Sequence, residues 1–417
     1  MLIKGENYIE PAVSPGSHNF MGAKRCFRED KMKRTILTIG ALGLFAFSLV
    51  PSAQAGWTGA QRLTWTAGES SMPAVAIDSG DGIHIVWQDV TSGIAEICYK
   101  RSLSGGTTWS ALQHLTWNSG ASEYPATAAD SSNRIHVVWQ DDTPGNAEIY
   151  YMKSEDRGTT WGSARRLTWE YGASERPAMA VDSSDRIHVV WQDDKSGSTE
   201  IYYKGSTDGG ASWSSAKRLT WTSGISECPA LAMGSGANVY VVWHDDTPGT
   251  QEIYFKGSTD GGTTWNSARR LTWASSDCWT PAIVKGSGNA LHVFWSQDDI
   301  FTKKSTDGGA SWSSAKMLTW NEEWNNSPVA AVDSANTIHM MWRRDYAYDE
   351  YDIFYRKSTD GGSTWSYAVD MTHNYPAPLN GRSCGPAIAI DSTDTIYFVW
   401  YDAPYIDNFE IYYKKST

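Results

Sequence analysis

Arginine, tyrosine, tryptophan and carboxylate side chains concentrate between residues 279 and 405 of this chain. An arginine fork can bind a carboxylate through two hydrogen bonds, and aromatic rings supply flat apolar contact area. With acids beside them, these residue types are typical of sites that recognise glycans or peptides. The candidate ligand-binding residues are Trp279, Glu322, Glu323, Trp324, Arg343, Arg344, Tyr346, Tyr348, Tyr375, Arg382, Tyr401 and Tyr405. The competing interpretation is simple decay of a repeat in its later copies.

Two further groups of side chains could do chemistry, and both recur too regularly to mark one site. Histidine recurs at 84, 136, 188, 292 and 339, but tyrosine replaces it at 240 and 397, which favours packing over metal binding. Asp141, Asp142, Asp193 and Asp194 flank short turns and could bind Ca²⁺ through their oxygens; solvated turns are the alternative. We therefore predict no catalytic residues, no metal site and no cofactor beyond that Ca²⁺ option.

A repeat of about 52 residues must position all of these side chains. Each copy holds four short runs rich in Val, Ile, Tyr and Trp, bounded by Gly, Asp, Pro and Ser, as in "PAMAVD", "RIHVVW", "EIYYK" and "SSAKRLTW" within 170–221. Such runs are typical of β-strands, and no helical period competes with them. Four antiparallel strands repeated seven times predict an all-β fold, a seven-bladed β-propeller.

The two ends of the repeat array are complementary. Residues 56–65 read "GWTGAQRLTW", which matches the fourth strand of a repeat, but no first, second or third strand precedes it. The chain ends on "EIYYKKST", which matches a third strand, and no fourth strand follows it. We expect the N-terminal strand to complete the last blade and close the ring; a truncated gene is the alternative. The predicted blades are 66–117, 118–169, 170–221, 222–273, 274–320, 321–373 and 374–417 plus 56–65.

The turn between the third and fourth strands carries a motif, Ser-x-Asp-x-Gly-x-Ser/Thr-Trp, seen in "STDGGASW" at 206–213. Its Asp can accept backbone N–H bonds and its Gly permits positive φ. The predicted structural Asp residues are Asp156, Asp208, Asp260, Asp307 and Asp360. This motif is the Asp-box, or BNR repeat, and residues 56–417 resemble the sialidase-like Asp-box propellers. The resemblance implies that the box is structural and lies on the face opposite the ligand site.

The same resemblance implies a test for sialidase activity, because sialidases carry Arg-Ile-Pro where the first strand of a blade begins. The residues two before the equivalent prolines are Ser71, Glu123, Glu175, Glu227, Trp279, Asn326 and Cys384, and none is arginine. Arg176, next to Pro177, is expected to point to the other side of the strand. The tryptophans that end each "LTW" run could stack on sugars, but we expect them to pack between blades.

The segment before the repeats predicts export. Residues 32–55 have a basic start, an apolar core and an Ala-Gln-Ala end, which indicates a signal peptide cut before Gly56, preceded by an unstructured extension at 1–31. The mature chain is then secreted or periplasmic, with no insertion into a membrane. Export permits a Cys228–Cys278 disulfide; buried thiols are the alternative.

The formal charge of −12 disfavours nucleic-acid binding. We expect a monomeric, non-catalytic propeller whose partner is a glycan or an exposed segment of an extracellular protein. The alternatives are an exo-glycosidase of the sialidase-like class, with its arginines drawn from Arg343, Arg344 and Arg382, and a cell-surface scaffold.

Overall fold

Twenty-eight β-strands make up the regular secondary structure of the computed structural model, so the predicted all-β class is confirmed. The structure describes residues 56–169, 171–321, 323–346, 350–372, 381–403 and 408–417. The predicted extension at 1–31 and signal peptide at 32–55 lie outside these ranges. In the part that is described, no helix is long and apolar enough to cross a membrane.

Most strands belong to sets of four consecutive antiparallel strands, which we call blades. A lone strand, β1 (Gln61–Arg62), precedes them. Blade 1 contains β2 (Ser70–Ile77), β3 (Ile83–Asp89), β4 (Glu96–Ser102) and β5 (Gln113–His114). Blade 2 contains β6 (Ser122–Ala129), β7 (Ile135–Asp141), β8 (Glu148–Ser154) and β9 (Arg165–Arg166). Blade 3 contains β10 (Ser174–Val181), β11 (Ile187–Asp193), β12 (Glu200–Ser206) and β13 (Lys217–Arg218).

The later blades follow the same order with local differences. Blade 4 contains β14 (Ser226–Met233), β15 (Val239–Asp245), β16 (Glu252–Ser258) and β17 (Arg269–Arg270). Blade 5 contains β18 (Trp279–Lys285), β19 (Leu291–Gln297), β20 (Asp299–Ser305) and β21 (Lys316–Met317). Blade 6 contains β22 (Trp324–Val332), β23 (Ile338–Asp345), β24 (Tyr351–Ser358) and β25 (Val369–Asp370). Blade 7 contains β26 (Arg382–Ile390), β27 (Ile396–Ala403) and β28 (Glu410–Lys415). A single parallel bridge, Tyr351 to Arg382, joins blades 6 and 7 into one sheet with β1.

The second strand of each blade is buried on both faces. In β11, Ile187, Val189, Val190 and Trp191 are fully buried, and the polar residues His188, Gln192 and Asp193 are buried as well, so burial does not alternate along the strand. Its side chains pack alternately toward the blades on either side, as Val189 and Val190 belong to different core clusters. This is why four of the six residues in the run "RIHVVW" are large and apolar, with no apolar–polar alternation.

The first and last described segments pair with each other. β1 is antiparallel to β28, with Gln61 opposite Tyr413, and Trp57 forms an isolated bridge with Ser416. Trp57 is buried, and its ring meets that of Tyr355 edge-on at 5.3 Å. The N-terminal strand therefore supplies the fourth strand of blade 7, as its sequence predicts.

Blades 7 and 1 contact each other as neighbouring blades elsewhere do. Ser392 donates from its N–H and its hydroxyl to the Asp81 carboxylate, at 2.9 and 2.8 Å. Ser131 of blade 2 makes the same pair of bonds to Asp185 of blade 3, at 2.9 and 2.6 Å. The contact between the last blade and the first thus repeats an ordinary contact between consecutive blades.

In most blades, a lysine or arginine on the third strand donates a hydrogen bond to a backbone carbonyl of the preceding blade. Lys256 donates to the carbonyl of Leu219 at 2.6 Å, and burial lowers the pKa of Lys256. Equivalent bonds run from Lys100, Lys204, Lys303, Arg356 and Lys414. Met152 takes this position in blade 2 and has no ammonium group to donate.

Buried histidines in four blades are held by hydrogen bonds from two sides. In blade 1, His84 lies between the Tyr99 hydroxyl at 2.7 Å and the Asp78 carboxylate at 2.9 Å. Burial works to raise the pKa of Asp78, but hydrogen bonds from His84 and Arg157 hold it well below its ordinary value. The equivalent histidines 136, 188 and 339 have the same two kinds of partner.

His292 is the exception, because Gly286 stands where the other histidines have their aspartate. Burial, with a smaller effect of Lys304, lowers the pKa of His292 to about 4.

The Asp-box carboxylates close their own turns. Asp208 accepts from the Ser206 hydroxyl, from the Ser212 N–H and from the Ser212 hydroxyl, at 2.9, 2.8 and 2.5 Å. These bonds, that from the Ser212 hydroxyl first, lower the pKa of Asp208 to about 2. Asp156, Asp260, Asp307 and Asp360 are bonded in the same way.

Candidate functional site

The first strands of all seven blades meet around an open cavity of about 340 Å³. Its wall is a ring of seven prolines and the residues directly before them. Those residues are Met72, Tyr124, Arg176, Cys228, Thr280, Ser327 and Gly385. Although the prolines repeat, the preceding residue differs in every blade, so a regular frame carries an irregular lining.

A β-bulge turns the lining residues toward this cavity. The register of each first strand slips directly around its proline, as between Glu175 and Ala178 in β10. The residue before the proline has a positive φ, 49° at Arg176 and 50° at Tyr124. Side chains other than glycine rarely adopt such φ values, and residues that do so cluster at functional sites.

Glutamines from the preceding blade hold the bulges in place. The side-chain carbonyl of Gln140 accepts from the Arg176 N–H at 2.9 Å, while its amide donates to Glu123 at 3.3 Å. Gln192 bonds Cys228 and Glu175 in the same way, at 3.0 and 3.3 Å. The polar residues around the bulge are thus fixed before any ligand arrives.

Arg176 and Tyr124 form the most polar part of the lining. The Arg176 guanidinium lies 4.7 Å from the centre of the Tyr124 ring. Among the lining residues, all of them described, Arg176 alone carries a charge. We expected Arg176 to point to the other side of the strand, and this was wrong. Because of the bulge, the residue directly before each proline lines the cavity, and the residue two positions before the proline does not.

The glutamates two positions before the prolines lie behind this wall. Burial raises the pKa of Glu123 and of Glu175 above the ordinary range. Neither lines the cavity. In blade 5 Trp279 takes this position, and its ring meets that of His244 edge-on at 5.4 Å.

Cys228 lines the cavity, whereas Cys278 is buried with its Sγ 3.6 Å from the Gln297 side-chain oxygen. All four cysteines of the described residues are free thiols, so the disulfide that the sequence allowed between these two is not formed.

The predicted arginines of blades 6 and 7 make contacts within the protein. Arg343 is only 6% exposed, and its guanidinium binds Asp345 through two bonds of 2.6 and 2.7 Å. Burial works against the charge on Arg343, but Cys384 and Asp345 hold its pKa above the ordinary value. The Arg344 guanidinium lies over the Phe354 ring at 3.8 Å. Arg382 is half-buried at the start of β26.

The remaining candidates lie on blades 6 and 7 or outside the described residues. Trp324 is exposed at the start of β22, and Glu323 next to it is half-buried. Tyr346 packs on the blade 6 core, and burial raises its pKa to about 12. Half-buried Tyr401 meets the Phe409 ring edge-on at 5.1 Å. Glu322, Tyr348, Tyr375 and Tyr405 lie outside the described residues.

The "LTW" tryptophans are exposed, so the expectation that they pack between blades was wrong. The leucine and threonine of the run both turn inward: Leu219 is buried, and the Thr220 hydroxyl accepts from the Ile201 N–H at 2.9 Å. The tryptophan that follows must then point outward, and Trp221 is 67% exposed. We call Trp65, Trp117, Trp169, Trp221, Trp273 and Trp320 the rim tryptophans.

The acids considered for Ca²⁺ bond their own blades. Asp141 accepts from Ser122, Trp139 and Thr143 at 2.9, 3.1 and 3.0 Å. Asp142 accepts from the Ala121 N–H at 2.5 Å. Over the described ranges, no group of three His, Cys, Asp or Glu residues is placed to hold a metal ion.

Comparison with known proteins supports the repeat. Residues 169–330 match the BNR repeat-like domain family. No curated protein matches the chain in sequence at a significant level.

Several solved structures share the fold at low identity. A polysaccharide lyase of family PL25, an ulvan lyase, has a TM-score of 0.59 at 10% identity, covering 84% of this chain and 95% of the lyase. A protein of unknown function from Dyadobacter fermentans has a TM-score of 0.52 at 12% identity, covering 86% and 99%. The endosialidase of phage phi92 has a TM-score of 0.53 at 10% identity, covering 86% and 69%. The match of residues 169–330 to the BNR repeat-like domain family agrees with the resemblance of this chain to the sialidase-like Asp-box propellers.

Proposed function

We propose that this chain is a secreted or periplasmic carbohydrate-binding propeller whose seven blades form one closed ring around the central cavity. The pairing of β1 with β28 and the Ser392–Asp81 contact support the closure. The observation that carries the binding function is Arg176 stacked on Tyr124 at the wall of a cavity of about 340 Å³. Pockets of this size take small ligands, and a fixed aromatic ring with an arginine suits a sugar that carries an acidic group.

Binding without hydrolysis fits the lining better than catalysis does. Glycosidases generally need two carboxyl groups beside the scissile bond. The residues that line the cavity, all described, include no carboxylate. Glu123 and Glu175 do not line the cavity, and their carboxylates accept hydrogen bonds from the side-chain amides of Gln140 and Gln192. The same fold carries a lyase bound to a polymer of glucuronate and sulfated rhamnose, so it is compatible with acidic sugars.

A glycan array probed with the mature chain, followed by calorimetry on the best oligosaccharide, tests the proposal. Removing the arginine fork or the ring should remove most of the contact, so Arg176→Ala and Tyr124→Ala should each weaken binding at least tenfold. Tyr367→Ala is the control, because Tyr367 is fully exposed and away from the cavity lining. Unchanged affinity in both cavity variants would refute binding at this site, and an array with no bound glycan would favour the scaffold alternative.

An exo-glycosidase remains the second candidate, because burial raises the pKa of Glu123 and Glu175 as in a general acid. Turnover of a fluorogenic sialoside tests it. Activity that is lost in Glu175→Gln or in Arg343→Ala would replace the binding proposal, whereas no turnover by the native chain removes the alternative.

A further inference from the structure

We propose that the rim tryptophans are platforms of a second, repeated binding surface for a polysaccharide that carries carboxylate or sulfate groups. This inference rests on the proposed carbohydrate-binding function but concerns residues outside the central cavity. Five of the six indoles, those of Trp65, Trp169, Trp221, Trp273 and Trp320, have an arginine or lysine within 6 Å of the ring centre.

The fold gives no structural reason for an indole at these positions. The rim tryptophans are 64–74% exposed, whereas the leucine and threonine before each of them make the core contact and the backbone bond. The same bulky ring stands in the open at the same position of six blades, so exposed apolar area repeats from blade to blade. Because the leucine and threonine supply the core contact and the backbone bond, the indoles are available to contact a ligand.

A crevice opens beside the tryptophans between neighbouring blades. The crevice at Trp221 measures about 410 Å³ and is also lined by Lys217, Arg218, Lys256 and Thr264. The crevice at Trp117 measures about 360 Å³. Both volumes fall in the range of ligand sites, and an apolar ring beside hydroxyls and amines suits the mixed surface of a sugar.

The charge of the crevices selects the ligand. At Trp221, the Lys256 ammonium and the Arg218 guanidinium lie 5.3 and 5.8 Å from the ring centre, and Lys217 lines the same crevice. One carboxylate, Glu200, pairs with Arg218 at 2.6 Å. A second carboxylate, Asp260, accepts from the N–H of the lining residue Thr264 at 2.8 Å. Three cations against two carboxylates leave this crevice positive on a chain whose net charge is −12. A positive crevice on an acidic protein favours anionic groups locally.

Trp117 provides a natural comparison within the chain. Gln113, His114 and Met152 stand where the Trp221 crevice has Lys217, Arg218 and Lys256, so the equivalent positions beside Trp117 carry no Lys or Arg. The Trp117 crevice should therefore bind a neutral sugar at most, and it serves as the matched control.

The repetition favours a polymer as the occupant. Five blades each present an indole beside a cation, and simultaneous contacts along one polymer raise the apparent affinity through effective concentration. A lipid surface fits less well, because the indoles stand singly beside polar crevices and do not form one continuous apolar face. The ligand of this surface is therefore an acidic polysaccharide.

The experiment measures binding of the mature chain to polygalacturonate, dextran sulfate and neutral dextran by affinity electrophoresis and calorimetry. We expect binding to at least one acidic polymer, weakened by added salt, and little binding to dextran. The triple variant Trp169→Ala, Trp221→Ala, Trp273→Ala should lose at least tenfold in apparent affinity, whereas Trp117→Ala should lose less than twofold. Equal thermal unfolding of all variants shows that they fold.

The outcomes separate this inference from the central site. If the triple variant binds the acidic polymers as the native chain does, the inference is wrong, and loss of binding in Arg176→Ala would still support the cavity. Conversely, full oligosaccharide binding in Arg176→Ala with polymer binding lost in the triple variant would support the rim and refute the cavity. Binding to vesicles of phosphatidylglycerol but to no polymer would overturn the inference in favour of a membrane.

Discussion

Replacing Trp57 with alanine tests whether the N-terminal strand is an integral part of blade 7. Trp57 is 7% exposed and packs on a core cluster with Met341, Ile353, Tyr355 and Trp400. A buried tryptophan removes about 150–250 Å² from water, equivalent to ~4–6 kcal/mol at about 25 cal/mol per Å². Because alanine keeps its Cβ and the site relaxes in part, we expect Trp57→Ala to lower the free energy of unfolding by about 4 kcal/mol.

Urea unfolding followed by tryptophan fluorescence and circular dichroism, with refolding checked by dilution, measures this change. Trp65→Ala is the matched control, since Trp65 lies eight positions further on in the same segment but is 70% exposed. Its loss should cost less than about 0.5 kcal/mol, the usual range for surface substitutions. Equal effects of the two substitutions, or a Trp57→Ala effect below about 1 kcal/mol, would refute the packing of the N-terminal strand described above.

Two further predictions concern charged groups. Arg157 takes the place of an Asp-box glycine at φ 57° and binds the buried Asp78 of blade 1 through two bonds of 2.7 and 2.8 Å. Arg157→Gly restores the motif but removes this ion pair, so it should destabilise the chain by about 1–2 kcal/mol in urea unfolding. A gain in stability would contradict the role of the ion pair. Because burial lowers the folded pKa of His292 to about 4, protons favour the unfolded state below pH 6.5, so His292 should cost ~2 kcal/mol of stability between pH 7 and pH 5. His292→Tyr, which copies Tyr240 of blade 4, should flatten that part of the stability–pH curve, and an unchanged slope would show that other groups cause it.

The frame of this fold could be predicted because its signals are local and repeated. Runs such as "RIHVVW" are long enough for their apolar content to identify a doubly covered strand. The pairing of 56–65 with the last strand followed from simple complementarity of the two ends. Both conclusions depend on backbone patterns that recur in every repeat.

The direction of individual side chains was harder to predict. If side chains alternated strictly along β10, Glu175 would line the central cavity. Because of the bulge, Arg176 lines it instead. Alternation also fails after Lys217–Arg218, because that strand is only two residues long and Leu219 and Thr220 both turn inward. The variation of the residue before each proline, Met, Tyr, Arg, Cys, Thr, Ser and Gly in turn, was the available signal for the cavity.

The candidates in blades 6 and 7 show a different difficulty. An arginine in a segment that departs from the repeat can bind a ligand or pair with a nearby acid, and sequence spacing does not separate the two. Arg343 is buried and bound to the half-buried Asp345, two positions further on. The pairing depends on side-chain conformation, which has no repeat to reinforce it.

The meeting of the two end segments has a consequence for protein engineering. The Thr417 N–H donates to the Gly56 carbonyl at 3.0 Å, and Trp57 bridges Ser416. In blade 3 the equivalent positions, Thr207 and Ser212, are separated by Asp-Gly-Gly-Ala. Four inserted residues of that sequence would join Thr417 to Gly56 through an ordinary hairpin, and circular permutants could then be opened at the matching turn of another blade.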